Sequence, residues 1–228
     1  MVKNRAAALI FRIIALVVTA AGFLDMLGVF SGELRLAALM FYTMQSNILV
    51  IALFTMLTIR TAIGLRDGKK GSAGYFARLE MICVNNVMLT FLVYWVMLAP
   101  ILFTMVGEYS MWTFDNLAVH GITPLLCLLD YILFTQPRHL KYRDVYCICI
   151  YPLVYVAATS IAGLLGYVYF TSAADGLPVR FPYFFYDFDR IGILSLAYIG
   201  AMIVFFLLAG HVFYYVDSRL RKVKNDYP

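Results

Sequence analysis

The stretch Phe41-Tyr42-Thr43-Met44-Gln45-Ser46-Asn47 sets two hydroxyls and two amides inside a run otherwise apolar enough to cross a membrane. Polar groups in hydrocarbon are costly and usually face a bundle interior or a cavity. A threonine hydroxyl becomes a nucleophile only beside a base that takes its proton. Histidine, with an unperturbed pKa near neutrality, is the usual base. The only histidine near the same depth is His120. If the helix carrying Thr43 enters at Leu36, a rise of ~1.5 Å per residue places Thr43 roughly 10 Å below that edge, and a helix entering at Phe114 places His120 roughly 9 Å down. A base also needs a group that fixes its tautomer. Asn116, one turn before His120, and Asp25, near the outer end of the first span, are the two candidates. Ser46 is a candidate donor to an oxyanion.

Residues three and four apart share a helix face. Thr43, Ser46, Asn47 and Val50 therefore form one stripe, with Gln45 off it. Asn116, His120, Thr123, Cys127 and Asp130 form a second, a polar seam at heptad spacing. Asn86, Thr90 and Tyr94 form a third. Two polar levels result: an outer one of Asp25, Thr43, Asn116 and His120, and a deeper one of Asn47, Asn86, Thr90, Asp130 and Tyr155. The deeper set reads as hydrogen-bond glue between helices, worth about 0.6 kcal/mol per contact on average. Asp130 is the exception, because an intramembrane carboxyl is a functional candidate by default.

These residues need spanning helices to carry them. The chain is 63% hydrophobic and 14% charged, with a mean hydropathy of +0.84. A soluble domain carries about 25% charged residues. Six runs are long enough to span: Ala6–Val29, Leu36–Ile59, Arg78–Met105, Phe114–Phe134, Val145–Phe170 and Ile191–Val216. Backbone polar groups in lipid must be satisfied within the segment, so the runs are helices. The expected fold is an all-α polytopic membrane protein, one six-helix domain over residues 1–228. The first run contains Asp25 and is too long for a signal peptide, so it is expected to be retained.

Lysine and arginine divide fifteen to three between the two sides, with Arg12 counted among the fifteen and Arg35, Arg180 and Arg190 on the other side. By the positive-inside rule both termini are cytoplasmic. The net charge of +5 is this bias and no sign of nucleic-acid binding. Cys83, Cys127, Cys147 and Cys149 fall in spans or on the cytoplasmic side, where disulfides are rare. No His/carboxylate group has metal-ligand spacing, and no cofactor is implied. The loop Thr171–Arg190 carries Phe181-Pro182-Tyr183-Phe184-Phe185, which reads as an interfacial aromatic belt or, functionally, as a lid over a substrate entrance formed by Pro182, Tyr183, Phe184 and Phe185.

Together, Phe41-Tyr42-Thr43-Met44-Gln45-Ser46-Asn47 and the run from Asn116 to Phe134 resemble the androgen-induced family of membrane threonine hydrolases, in particular its bacterial six-pass relatives. The bacterial branch shows an aromatic-Thr-x-x-Ser-Asn segment and an Asn, His, Pro and Asp at these spacings. It also has an external Pro-Tyr-Pro-Phe stretch, in which Phe184 here replaces the second proline. The likeness runs along nearly the whole chain. It implies a hydrolase of lipid esters, such as fatty acid esters of hydroxy fatty acids, with Thr43 as nucleophile and His120 as base. The substrate would be a membrane lipid or fatty acyl ester, and the setting a multi-pass protein of a bacterial plasma membrane. No protein partner is implied. On the residues alone a carrier or channel using the seam and Asp130, a haem protein using His120, His139 or His211, and a non-catalytic scaffold remain open.

Overall fold

The computed structural model describes residues 2–105, 110–135, 140–172 and 176–225. Six helices are long and apolar enough to cross a membrane: α1 (Arg5–Met26), α2 (Tyr42–Arg66), α3 (Ala77–Phe103), α4 (Phe114–Phe134), α5 (Asp144–Leu164) and α6 (Leu194–Arg219, continuing to Asn225). The protein is a polytopic all-α membrane protein with one short two-stranded hairpin.

Two spans differ from their sequence boundaries. The second run was expected to start at Leu36, but Leu36–Met40 is a separate 3-10 turn and α2 starts at Tyr42. Phe41, extended at φ −82° and ψ 142°, breaks the helix between them. The fifth run was expected to reach Phe170, but α5 ends at Leu164 and Phe170 opens the hairpin. α1 closes with the Leu27 N–H on the Phe23 carbonyl. The following turn needs Gly28, whose φ of +77° suits a residue without a side chain.

The chain forms two compact units: residues 1–142 with 213–228, and residues 143–212. In the first unit α1 to α4 form an up-and-down bundle in which α1 packs on α2 and α4, and α3 packs on α2 and α4. Side-chain pairs fix the register. Arg12 meets Asp130, Thr19 meets Thr123 and Gly22 meets Ala118, so α1 and α4 run antiparallel. Glu80 meets Thr135 and Trp95 meets His120, so α3 and α4 do too. A core of Ala15, Val50, Leu53, Phe54, Leu57, Cys83, Val84, Val87 and Cys127 fills the middle. Lipid offers no hydrophobic reward for this contact, so close approach of small residues has to hold the helices. Gly22 shows how close: a Cβ there would lie 2.2 Å from that of Ala118.

In the second unit Gly210 of α6 packs against Ile148 and Val145 of α5. The loop after α5 pairs Phe170–Thr171 with Pro178–Val179, then makes a 3-10 turn over Phe184–Tyr186. Asp187 caps the short helix Phe188–Ile191 by accepting from the Asp189 and Arg190 amides.

Candidate functional site

Because α2 begins at Tyr42, Thr43 lies in its first turn rather than mid-helix. First-turn amides have no intrahelical acceptor and carry the positive end of the helix dipole. The Thr43 carbonyl accepts from Ser46 Oγ and Asn47 Nδ2, each at 2.9 Å. Its own hydroxyl has no hydrogen-bond partner among the described residues. Tyr42, next to it, donates its hydroxyl to Asn86 Oδ1 on α3, and Asn86 donates back to the Ile82 carbonyl. Gln45, to which the spacing assigned no role, donates to the Leu39 carbonyl and ties the 3-10 turn to α2.

His120 sits in an unusual backbone. Ala118–Ile122 is a π-helical turn, with the Thr123 N–H on the Ala118 carbonyl. Tyr94–Leu98 on α3 is a second such turn, with the Ala99 N–H on the Tyr94 carbonyl. Single π turns inside α-helices recur at functional sites. These two meet: the Tyr94 ring stacks on the His120 imidazole, centroids 3.7 Å apart and planes 3° from parallel. Trp95 Nε1 donates to the His120 carbonyl at 3.1 Å. That carbonyl lacks its ordinary partner four residues on, because Pro124 has no N–H. The buried imidazole leaves Nδ1 without a partner. Such an atom costs on the order of 1–3 kcal/mol.

Asn47 links the two centres. Its Nδ2 donates to the Thr43 carbonyl and, at 3.2 Å, to the Val119 carbonyl on α4. The α2 first turn and the residue before His120 thus share one nitrogen. No hydrogen bond joins the Thr43 and His120 side chains. Asn47 Oδ1 is buried without a partner. The expectation that Asn47 belongs to a deeper level with Asp130 is corrected by these contacts: it belongs to the His120 level.

Among the described residues, neither residue expected to orient His120 hydrogen-bonds to its ring. Asn116 Nδ2 donates to the Ser110 carbonyl and Thr113 Oγ1, closing the entry to α4. The i, i+4 spacing gives a shared face, but the Asn116 amide is spent on the turn that precedes α4. Asp25 is half-buried at the end of α1 and makes no bond to the ring. The rest of the seam packs inward as its spacing predicts: Thr123 bonds Thr19 of α1 at 3.2 Å and Cys127 lies in the core. Thr90 turns back to its own helix, donating to the Val87 carbonyl.

At the other end of this unit lies an ion pair absent from the sequence reading. Arg12, counted there as an exposed topology charge, is fully buried. Its Nε and Nη2 grip Asp130 Oδ1 and Oδ2 at 2.8 and 3.0 Å. Its Nη1 donates to Thr61 Oγ1 at 2.7 Å and to the Ala73 carbonyl at 2.9 Å, and it stands over the Phe134 ring. Glu80, also missed, is buried close enough to feel both charges. It accepts from the Phe76 amide and the Thr135 hydroxyl, joining the start of α3 to the end of α4. A cavity of about 570 Å³ opens beside it, lined by Gly74–Leu79 and Thr135, away from Thr43 and His120.

The aromatic loop belongs to the second unit. Phe181, Pro182, Phe185 and Tyr186 are buried there, and Phe184 is exposed. Tyr183 sets its ring edge-on to Tyr155 of α5 and stacks on Phe185. Tyr186 and Thr159 of α5 share a hydrogen bond of 3.2 Å, and burial pushes the Tyr186 hydroxyl's pKa up. A Cβ on Gly163 would lie 2.3 Å from the Arg180 carbonyl, so the loop lies flat on α5. Outside it, Arg180 and Asp189 form a two-bond pair, which holds the Asp189 carboxyl below the usual range and raises Arg180. Of the other histidines, His211 bonds its own helix through the Leu207 carbonyl, and His139 lies outside the described residues.

Compared with known proteins, the chain matches no family model, no curated protein and no solved structure.

Proposed function

We propose that the protein is an intramembrane hydrolase of lipid esters, with Thr43 as nucleophile and His120 as base. The observation that carries this reading is the Asn47 amide, which pins the Thr43 turn to the residue before a buried histidine whose Nδ1 has no partner. In the reaction the Thr43 hydroxyl passes its proton to the His120 imidazole as its oxygen attacks the ester carbonyl. The first-turn amides of α2 face a build-up of negative charge well, as helix N-termini do. Collapse of the tetrahedral intermediate expels the alcohol portion, which takes the proton back from His120. Water, activated by the same base, then releases the fatty acid and restores Thr43. The missing Thr43–His120 hydrogen bond fits a site that tightens around substrate, since such bonds are often long or unformed in free enzymes.

The reading includes a setting. Cytoplasmic termini are supported by the fourteen cations assigned to their side against three once buried Arg12 is set aside, and the family resemblance adds a bacterial plasma membrane, with the site in its outer half. The substrate is a lipid or fatty acyl ester. A carrier using Asp130 as a proton or cation site is disfavoured, because both oxygens of that carboxylate are committed to Arg12.

The test is fluorophosphonate labelling of the detergent-purified protein, read by peptide mass spectrometry. An adduct on Thr43 is expected. Thr43→Ala abolishes it, Thr43→Ser keeps it, and His120→Ala slows it by about 10²–10⁴, the usual contribution of a general base. A folded wild-type protein with no Thr43 adduct would overturn the reading.

A further inference from the structure

We infer that Tyr94 and Trp95 are positioning residues that fix the orientation of the His120 imidazole, and that the paired π turns of α3 and α4 exist to bring them to it. The inference takes its catalytic meaning from the hydrolase reading, but the orientation itself stands on separate observations. Each π turn inserts one residue's worth of extra backbone and shifts the phase of every side chain after it. In α4 the shift begins at Ala118, two residues before His120. In α3 it begins at Tyr94 itself, so adjacent residues Tyr94 and Trp95 both reach α4.

The two contacts act on different parts of His120. Trp95 holds the backbone: its indole N–H fills the carbonyl that Pro124 leaves open. Its ring also lies 3.9 Å from where a Cβ on Gly121 would stand, so the backbone there approaches it closely. Tyr94 holds the ring by covering one face of it. With the backbone and one ring face fixed, the plane of the imidazole is held. Nδ1 lies in that plane without a partner, and a buried unpaired atom calls for an account of its use. A base held this way is ready for one proton donor.

The chain has three histidines, so the ring resonances of selectively labelled His120 are assignable by comparison with His120→Gln. Stacking on Tyr94 predicts His120 ring protons displaced upfield by the tyrosine ring current. Tyr94→Leu should return them toward ordinary values. Tyr94→Phe, which keeps the face, should leave them in place and serves if the leucine variant fails to fold. Thr43 labelling by the fluorophosphonate is the second readout. In Tyr94→Leu and Trp95→Phe its rate should fall by on the order of a hundredfold, the cost of a misplacement of about 1 Å, with helicity unchanged. Trp95→Phe/Pro124→Ala returns a backbone N–H for the His120 carbonyl. Recovery of thermal stability without recovery of labelling supports positioning, whereas recovery of both reduces Trp95 to a structural donor and overturns its part. Unshifted His120 resonances in the wild type, or full labelling in Tyr94→Leu, would overturn the inference. Displaced resonances in a wild type that gives no Thr43 adduct would uphold the orientation and sink the hydrolase reading alone.

Discussion

Arg12→Met should be among the most damaging single substitutions in the first unit. Arg12 makes four hydrogen bonds, two to Asp130 and one each to Thr61 and the Ala73 carbonyl, with no exposure at all. Removing one partner of a buried ion pair typically costs about 3–5 kcal/mol, because it strands the other charge. Here Asp130 is stranded with Glu80 as a second nearby carboxylate, which puts the expected loss at the top of that range. Asp130→Leu strands Arg12 instead and should cost a similar amount. If the two effects were independent, the double variant would lose about 6–10 kcal/mol. The expectation is the opposite: Arg12→Met/Asp130→Leu leaves no buried charge between these positions and should be no less stable than either single variant, which gives a coupling of at least about 3 kcal/mol. The assay is reversible unfolding of the detergent-purified protein in sodium dodecyl sulfate, followed by tryptophan fluorescence and helicity. Additive losses in the cycle would refute the claim that these residues act as one pair. So would a mild Arg12→Met, since it would mean that water reaches the site.

Glu80→Gln should be nearly silent in the wild type, because glutamine still accepts from the Phe76 amide, yet it should restore part of the stability of Arg12→Met by removing one of two stranded carboxylates; the same unfolding assay reads both. Gly22→Ala forces a Cβ to within 2.2 Å of that of Ala118 and should cost about 1–3 kcal/mol by overpacking, with Gly22→Ala/Ala118→Gly recovering most of it. Asn47→Leu removes the bond that spans α2 and α4 and should cost about 1 kcal/mol while slowing Thr43 labelling more than that loss of stability explains. For the exposed Arg180–Asp189 pair the sign follows from the lowered Asp189 pKa: the pair's contribution is present above the ordinary aspartate range and disappears as pH falls through the folded value. Asp189→Asn should therefore shift the melting temperature slightly at neutral pH and not at all in strong acid, checked by thermal melts across pH.

Much of the scaffold was legible in the chain. Six apolar runs became six helices because hydrocarbon permits little else to a backbone. The seam from Asn116 to Asp130 faces the bundle interior as its heptad spacing required, and Asn47 bonds both the Thr43 carbonyl and that of Val119, next to His120. What escaped the sequence is what helical periodicity cannot encode. Arg12 was counted as an anchor because it lies near a terminus among other cations, and its partner is 118 residues away. The only sign was its position seven residues inside an apolar run, where an exposed charge does not belong. Glu80 carried the same sign and was passed over because it stands near the end of its helix. The π turns left no signal at all, since Tyr94-Trp95 and Val119-His120-Gly121 read as ordinary helix. With them went the true neighbours of His120, while the Asn116 amide bonds Ser110 and Thr113 at the entry to α4. The early start assumed for α2 came from apolar Leu36–Met40, which has the composition of a span and the backbone of a turn.

The two polar centres of the first unit differ in a way that bears on which of them acts. Around Arg12 the guanidinium is saturated: its donors meet a carboxylate, a hydroxyl and a carbonyl in good geometry. Moving it would break several bonds at once, and a bidentate pair of this kind specifies register between α1 and α4 better than it serves turnover. Around His120 the balance is reversed. Asn47 Oδ1 and His120 Nδ1 are buried and unpaired, and the surrounding contacts hold them without satisfying them; the Thr43 hydroxyl nearby has no hydrogen-bond partner among the described residues. Unsatisfied polar atoms in a fixed setting are an energetic cost to the folded protein, of order 1–3 kcal/mol each. A bundle could shed that cost by substituting apolar residues, as it does through most of its core. Keeping it, and adding two π turns to hold it in place, is consistent with groups whose partner arrives with the substrate. On that argument the Arg12 centre sets the frame, and the proposed chemistry belongs at the first turn of α2.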